Sequence, residues 1–187
     1  LIIATACAVL RPYFYIRNGA RIVTPQIDLN AQQLESLSVQ LSKVGEICAC
    51  ETRLSNGKTV LIVAIYISPN QSINSITEFI HENLIKYTPE VSRILRKDYD
   101  KVPMILSGDF NVNFALDTAV PLIDFLNTTF NLKMCNNRTE STTRSKTTID
   151  AVFQRYVDNI ETKAFVSYFS YHKPLVSFVE IENIEDE

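Results

Sequence analysis

No run in this 187-residue chain approaches the roughly 20 apolar residues that a bilayer-crossing helix requires, so no membrane span is expected. The apolar opening LIIATACAVL lacks a Met and a basic leader and is followed by Arg11-Pro12, so it reads as a buried strand rather than a signal segment. None of the four cysteines forms a C-x-x-C pair. Cys48 and Cys50 share one face of a strand with no histidine near them, which excludes a zinc site by pattern. With Cys7 and Cys135 they read as reduced core thiols of an intracellular protein. There is no internal repeat, heptad pattern or low-complexity segment. Histidine is scarce, with only His81 and His172, and His81 sits beside Ile80 as a surface or edge residue.

Excess positive charge is also missing, since the net charge is −3. Five of the negative charges lie in the tail (Glu180, Glu182, Glu185, Asp186 and Glu187), and removing them turns −3 into +2 for the rest. Residues 182–187 therefore read as an acidic tail or linker after one domain over 1–181. Between 133 and 173 stand seven basic residues against four acids. Arg138, Arg144 and Lys146 fall in a Ser/Thr/Asn-rich loop, where they could grip phosphates or simply keep the loop solvated. The hydrophobic share of 46% and charged share of 21% fit a compact globular domain with ample core.

The informative segment is 102–114, VPMILSGDFNVNF. Met104, Ile105 and Leu106 read as a buried strand that runs into Ser-Gly and then Asp109, Phe110 and Asn111. Alternation along an extended chain predicts Asp109 and Asn111 on one side and Phe110 on the other. Gly108 lets the backbone turn or pass close to another group. A carboxylate can hold a hard cation or take a proton from water, and an amide can donate to a phosphate oxygen. A plain strand and polar turn is the alternative.

Three other strand ends deliver polar groups. Residues 60–70, VLIVAIYISPN, end in Tyr66 and a Ser-Pro-Asn turn. Residues 147–153, TTIDAVF, hold Asp150 inside an apolar run, where an unpaired carboxylate is expensive to bury. Residues 166–179, VSYFSYHKPLVSFV, place His172 between two strand-like stretches.

The ordered blocks Y-x-S-P-N, G-D-F-N, I-D-x-V-F and S-x-H-x-P resemble the endonuclease/exonuclease/phosphatase superfamily. Their wording is similar to the apurinic/apyrimidinic-endonuclease-like domain of mobile elements of the non-LTR retrotransposon type. The resemblance implies a DNase I-like fold, a four-layer α/β sandwich of two mostly antiparallel sheets with outer helices. It implies that Asp109 activates water, that Asn111 positions water or phosphate, and that Tyr66 donates near the phosphate or leaving oxygen. Asp150 would orient His172, whose protonated ring would offset charge on the phosphorus oxygens. Mg²⁺ (or Mn²⁺) would stabilise the leaving oxygen, with Asp109 a possible ligand. The implied reaction is metal-dependent hydrolysis of a phosphodiester, as in a DNA-nicking endonuclease. DNA would be the partner, and a reverse transcriptase or helicase could follow. The alternatives are a catalytically impaired remnant, or a phosphatase acting on phosphoinositide or sphingolipid head groups.

The chain departs from that pattern twice. Tyr171 stands where the family has Asp before the His, and the family's principal metal-binding Glu, on an early strand, has no counterpart. The early acids are Asp28, Glu35, Glu46 and Glu51. Glu51 lies only fifteen residues before Tyr66, too close for that motif, and reads as a solvent-facing strand residue. The expectation is the family fold without its first strands.

Strands are expected near 2–10, 13–17, 21–26, 36–42, 46–54 and 58–67, with Asn56-Gly57 as a hairpin turn. Ser72 or Asn74 would cap a helix built on Ile73, Ile76, Ile80 and Leu84, and Val91–Leu95 would add a turn after Pro89. A strand over 103–108, a helix over 118–129 and strands near 132–136, 147–154, 161–169 and 174–181 complete the order.

Overall fold

The structure is a computed structural model and describes residues 2–5, 34–53, 59–168 and 170–179. The expected strands at 13–17 and 21–26 and the Asn56-Gly57 turn lie outside them. Its strands are β1 (Ile2–Thr5), β2 (Leu34–Leu41), β3 (Gly45–Arg53), β4 (Thr59–Ile67), β5 (Met104–Asp109), β6 (Lys133–Met134), β7 (Asp150–Arg155), β8 (Ile160–Ala164) and β9 (Leu175–Val179). Among the described residues three α-helices accompany them: α1 (Ile73–Leu84), α2 (Pro89–Leu95) and α3 (Val120–Phe130).

Two sheets form. The larger has the order β2-β3-β4-β5-β7-β6 and the smaller β1-β9-β8. Every pairing is antiparallel except β4 with β5, which needs a crossover, and α1 and α2 supply it. Gly108 of β5 is paired with Ile65 of β4. A Cβ there would run into the Ile65 carbonyl oxygen, so no other residue fits.

Strand alternation divides the large sheet into two faces. Leu61, Val63, Ile65 and Ile67 of β4, with Met104, Leu106 and Phe153, pack under the helices. The helices answer with Ile76, Phe79, Ile80 and Leu84 of α1 and Leu122, Leu126 and Phe130 of α3. These recur at helical spacing, and Ser72 Oγ caps α1 by accepting from Ser75 N–H at 3.1 Å. The opposite face carries Ile105 and Val152, which meet Leu175 and Val179 of the small sheet. Among the described residues the layers are thus helix, sheet and sheet, the α/β sandwich expected of a DNase I-like fold.

Two details fasten the helical side. Phe110, Phe114 and Phe153 meet edge-on with ring centroids 5.3–5.8 Å apart, which fixes the start of the loop after β5. Arg155, at the far end of β7, is buried. Its guanidinium donates to the carbonyls of Val102, Tyr87, Phe130 and Tyr99 at 2.8–3.1 Å. One side chain thereby ties together the α1–α2 connection, the α2–β5 connection and the C-terminal end of α3.

Some expectations need correction. β8 ends at Ala164 rather than near 169, and the residues after it form a loop. β6 is two residues long, because Asn136 leaves the ladder to accept from Val152 N–H at 2.9 Å with its side chain. Glu51 does not face solvent: its Oε1 accepts from Tyr87 Oη at 2.7 Å and lies 3.4 Å from Lys86 Nζ. Cys48, Cys50 and Cys135 are free thiols, and Cys7 is outside the described residues. Among the described residues no helix is long and apolar enough to cross a membrane.

Candidate catalytic centre

The register of the large sheet assembles the candidate residues. Tyr66 of β4 is paired with Asp109 of β5, and Asp109 with Asp150 of β7. Directly paired residues project to the same face, so all three look toward the small sheet from one rim. Asp109 and Asp150 are 5% and 3% exposed, and His172 is 7% exposed.

His172 reaches this rim from the loop before β9. A bridge between Thr143 and His172 holds the backbone, and His172 N–H donates to Ser170 Oγ at 3.1 Å. Its Nδ1 lies 2.9 Å from Asp150 Oδ2 and 3.1 Å from Oδ1. Its Nε2 faces Asp109 Oδ2 at 4.0 Å. That gap is too long for a direct hydrogen bond, yet one oxygen atom between them can contact both.

Local chemistry fixes the carboxylates. Thr142 Oγ1 accepts from the N–H groups of Ile149 and Asp150, both at 3.1 Å, so the polar loop before β7 ends on a buried anchor. Asp109 Oδ1 accepts from Asn111 N–H at 2.9 Å, closing an Asx turn. Asn111 has φ +48°, a left-handed conformation that asparagine tolerates better than most residues. Alternation therefore holds through Phe110 and stops before Asn111. Phe110 enters the helix-side core, and Asn111 is placed by the turn, with its Nδ2 donating to Ile67 O at 2.8 Å.

Burial shifts the titration of this cluster. Desolvation raises Asp109 to about 6, opposed by the Asn111 N–H bond, raised further by the Asp150 charge and lowered by His172. The bond to Asp150 raises His172 above its ordinary value. Desolvation opposes that rise, and the charges of Asp150 and Asp109 add to it. Both groups are thus raised above their ordinary values, Asp109 mainly by burial and His172 mainly by its bond to Asp150.

The three basic residues of the polar loop are placed differently. Arg138 turns away to donate to Phe114 O at 2.8 Å and Leu116 O at 3.1 Å, with Asp117 at 3.6 Å. Arg144 donates from Nη2 to Ser167 O at 3.3 Å and Tyr168 O at 3.2 Å, beside the His172 loop. Lys146 is exposed at φ +65° in the same turn as Arg144. Tyr171 is half exposed and meets His172 edge-on, with ring centroids 5.7 Å apart.

One further residue joins the row. Glu46 of β3 is paired with Tyr66, so four adjacent strands present Glu46, Tyr66, Asp109 and Asp150 at one level of one face. Its Oε2 is buried without a hydrogen-bond partner. No signal in the sequence pointed to it. A two-residue Asn56-Gly57 turn would set Glu46 opposite Ile67, on the other face, and the observed register differs by one.

The donor set fits a hard divalent cation. Oxygen or nitrogen atoms of Asp109, Asp150 and His172 lie within 4.8 Å of one another, and the unpartnered Glu46 oxygen shares their face.

No family model matches the sequence, and no curated protein matches it. Solved structures do. The human Nocturnin catalytic domain, determined with a bound sulfate anion, aligns over 77% of this chain and 58% of its own, with 16% identity and a TM-score of 0.55. TDP2 from C. elegans aligns over 78% of this chain and 50% of its own, with 11% identity and a TM-score of 0.53. An endonuclease/exonuclease/phosphatase family protein from Bacteroides thetaiotaomicron aligns with 14% identity over 71% and 54%, at a TM-score of 0.45. The chain spans little more than half the length of these structures.

Proposed function

We propose that this chain is a metal-dependent phosphodiester hydrolase, and that its substrate is DNA, nicked as by the endonuclease domain of a mobile element. The observation that carries the reading is the convergence of Asp109, Asp150 and His172 from three separate segments at one buried rim. The fold shared with the Nocturnin domain, whose structure holds a sulfate, supports a centre that handles tetrahedral oxyanions.

Asp109 takes the proton of the attacking water. A carboxylate raised to about 6 is a better base near neutral pH than an unperturbed one, because its proton affinity is closer to the working pH. Asp150 holds Nδ1–H of His172 and favours the charged ring, so that Nε2–H points at an oxygen on phosphorus. The 4.0 Å space between Nε2 and Asp109 Oδ2 accommodates that oxygen or the nucleophile. Water attacks phosphorus and the opposite ester P–O bond breaks. Tyr66, next to Asp109 in the row, is placed to donate to the departing oxygen. Asn111, held by its turn, orients water or phosphate. Asp109 and Glu46 would hold Mg²⁺ or Mn²⁺, which when bound supplies positive charge to the leaving oxygen. Arg144 and Lys146 border the His172 loop as phosphate contacts. Arg138 joins that role only by giving up its carbonyl bonds.

A plasmid-nicking assay in Mg²⁺ tests the reading: conversion of supercoiled to open circular DNA, abolished by Asp109→Asn, supports it. Equal nicking by wild type and variant contradicts it.

A further inference from the structure

Among the described residues, four of the eleven large exposed apolar side chains lie between 165 and 171, in the loop that ends on His172. Tyr168 is 84%, Val166 74% and Tyr171 48% exposed. This loop is held in place. Phe165 N–H donates to Pro174 O at 2.9 Å across its base, and Arg144 N–H donates to Tyr171 O at 3.1 Å. Arg144 Nη2 clasps the carbonyls of Ser167 and Tyr168. Lys173 N–H donates to Thr142 O at 2.7 Å, and Lys173 Nζ to Ser141 Oγ at 3.0 Å. The two joined segments, 141–148 and 165–174, contain no acidic residue and carry Arg144, Lys146 and Lys173.

Exposed rings on a loop whose backbone is anchored, beside three cations, match a polymer of flat bases joined by phosphates. The geometry points to this rim as a stacking platform for unpaired nucleobases flanking the scissile phosphate. Tyr168 and Tyr171 would take the base faces, and Arg144, Lys146 and Lys173 the phosphates. The inference rests on the hydrolase reading above and names its substrate class: single-stranded or locally unpaired nucleic acid. In an intact duplex each base is already stacked on its neighbours, and a ring on a protruding loop reaches it only after unstacking. Tyr171 favours a base over a bilayer as occupant. Its ring contacts His172, so whatever covers it lies next to the reacting phosphate.

Fluorescence anisotropy on the full chain, in EDTA to prevent cleavage, tests this with three labelled probes. They are an oligothymidylate of about 20 nucleotides, a base-free phosphodiester chain of the same length, and phosphatidylcholine vesicles containing about one-fifth phosphatidylserine. The expected result is tighter binding of oligothymidylate than of the base-free chain. Tyr168→Ala and Tyr171→Ala should each weaken oligothymidylate by about fivefold or more and leave the base-free chain unchanged. Tyr168→Phe should bind as wild type, and Lys146→Gln should weaken both chains. Alanine variants that bind oligothymidylate as wild type overturn the platform. So does a tyrosine-dependent affinity for vesicles alone, which would make the loop a membrane contact. If Asp109→Asn abolishes nicking while the tyrosine variants bind normally, this inference fails and the hydrolase reading stands. If the chain neither binds nor nicks nucleic acid, both fail.

Discussion

Nδ1 of His172 sits 2.9 Å from Oδ2 of Asp150, twenty-two residues away in sequence, with both side chains buried. The pair links the loop before β9 to the first residue of β7. A buried imidazole would otherwise be driven neutral, and the carboxylate is what lets it stay charged.

That pair should be visible by proton NMR, which the presence of only two histidines makes simple. The His172 ring should titrate above its ordinary 6.5, and Asp150→Asn should bring it down, because the amide removes the largest cause of the rise. The linkage sign follows. A raised folded-state pKa stabilises below 6.5, and this contribution disappears as pH climbs through the folded value. Denaturation midpoints of wild type and Asp150→Asn should therefore differ more at pH 6 than at pH 9.

The pH–rate profile should be bell-shaped. On the proposed mechanism activity needs Asp109 ionised and His172 protonated; burial raises metal-free Asp109 to about 6, and a cation bound to it should move the acid limb below that value. The alkaline limb should lie above 6.5 and move to lower pH in Asp150→Asn. The two limbs belong to the coupled cluster rather than to single residues. Asp109 also affects stability. Its folded value is raised from 3.8 to about 6, so the native state is favoured at the acid side of that window and loses that advantage as pH rises through it.

Calorimetric titration with Mn²⁺ addresses the carboxylate row without any turnover. Asp109→Asn should abolish binding, and Glu46→Gln should weaken it about tenfold or more, since each ionised ligand to a hard cation is hard to replace. Glu51→Gln, on the opposite face, is the control that should bind as wild type. Unchanged affinity in Glu46→Gln would remove that residue from the metal site.

Arg155 makes a prediction about the fold alone. Arg155→Met keeps the aliphatic stem but removes the guanidinium from four carbonyls, of which Tyr99 O keeps the Val102 N–H at 3.3 Å, and buried acceptors without partners cost about 1–3 kcal/mol each, not additively. Chemical denaturation should show a loss of about 3 kcal/mol or more. A smaller loss would mean that water takes over those carbonyls.

The sandwich was legible because its strands and helices carry clean periods. β5 ends on Asp109 just where its apolar run stops, β4 carries Tyr66 one residue before its end, and Ile76, Ile80 and Leu84 mark one face of α1. Proximity of Asp109, Asp150 and His172 could be expected only from the family resemblance, because nothing local links residues so far apart in sequence. Asn111 escaped alternation through an Asx turn and a positive φ, which outweighed the strand period. Residues 165–168 look like strand from their β-branched and aromatic content, but the Arg144 clasp holds the carbonyls of Ser167 and Tyr168 in a loop. Glu46 was hidden by a register that differs by one residue from the simplest turn.

The central claim is that the cluster at this rim hydrolyses phosphodiesters, and nicking of supercoiled plasmid in Mg²⁺ by wild type, Asp109→Asn and His172→Ala tests it most directly. The account predicts nicking by wild type, loss of about 10²-fold or more in each variant, and none in EDTA. Wild-type protein that leaves the plasmid intact, or variants that nick it as fast as wild type, would contradict it.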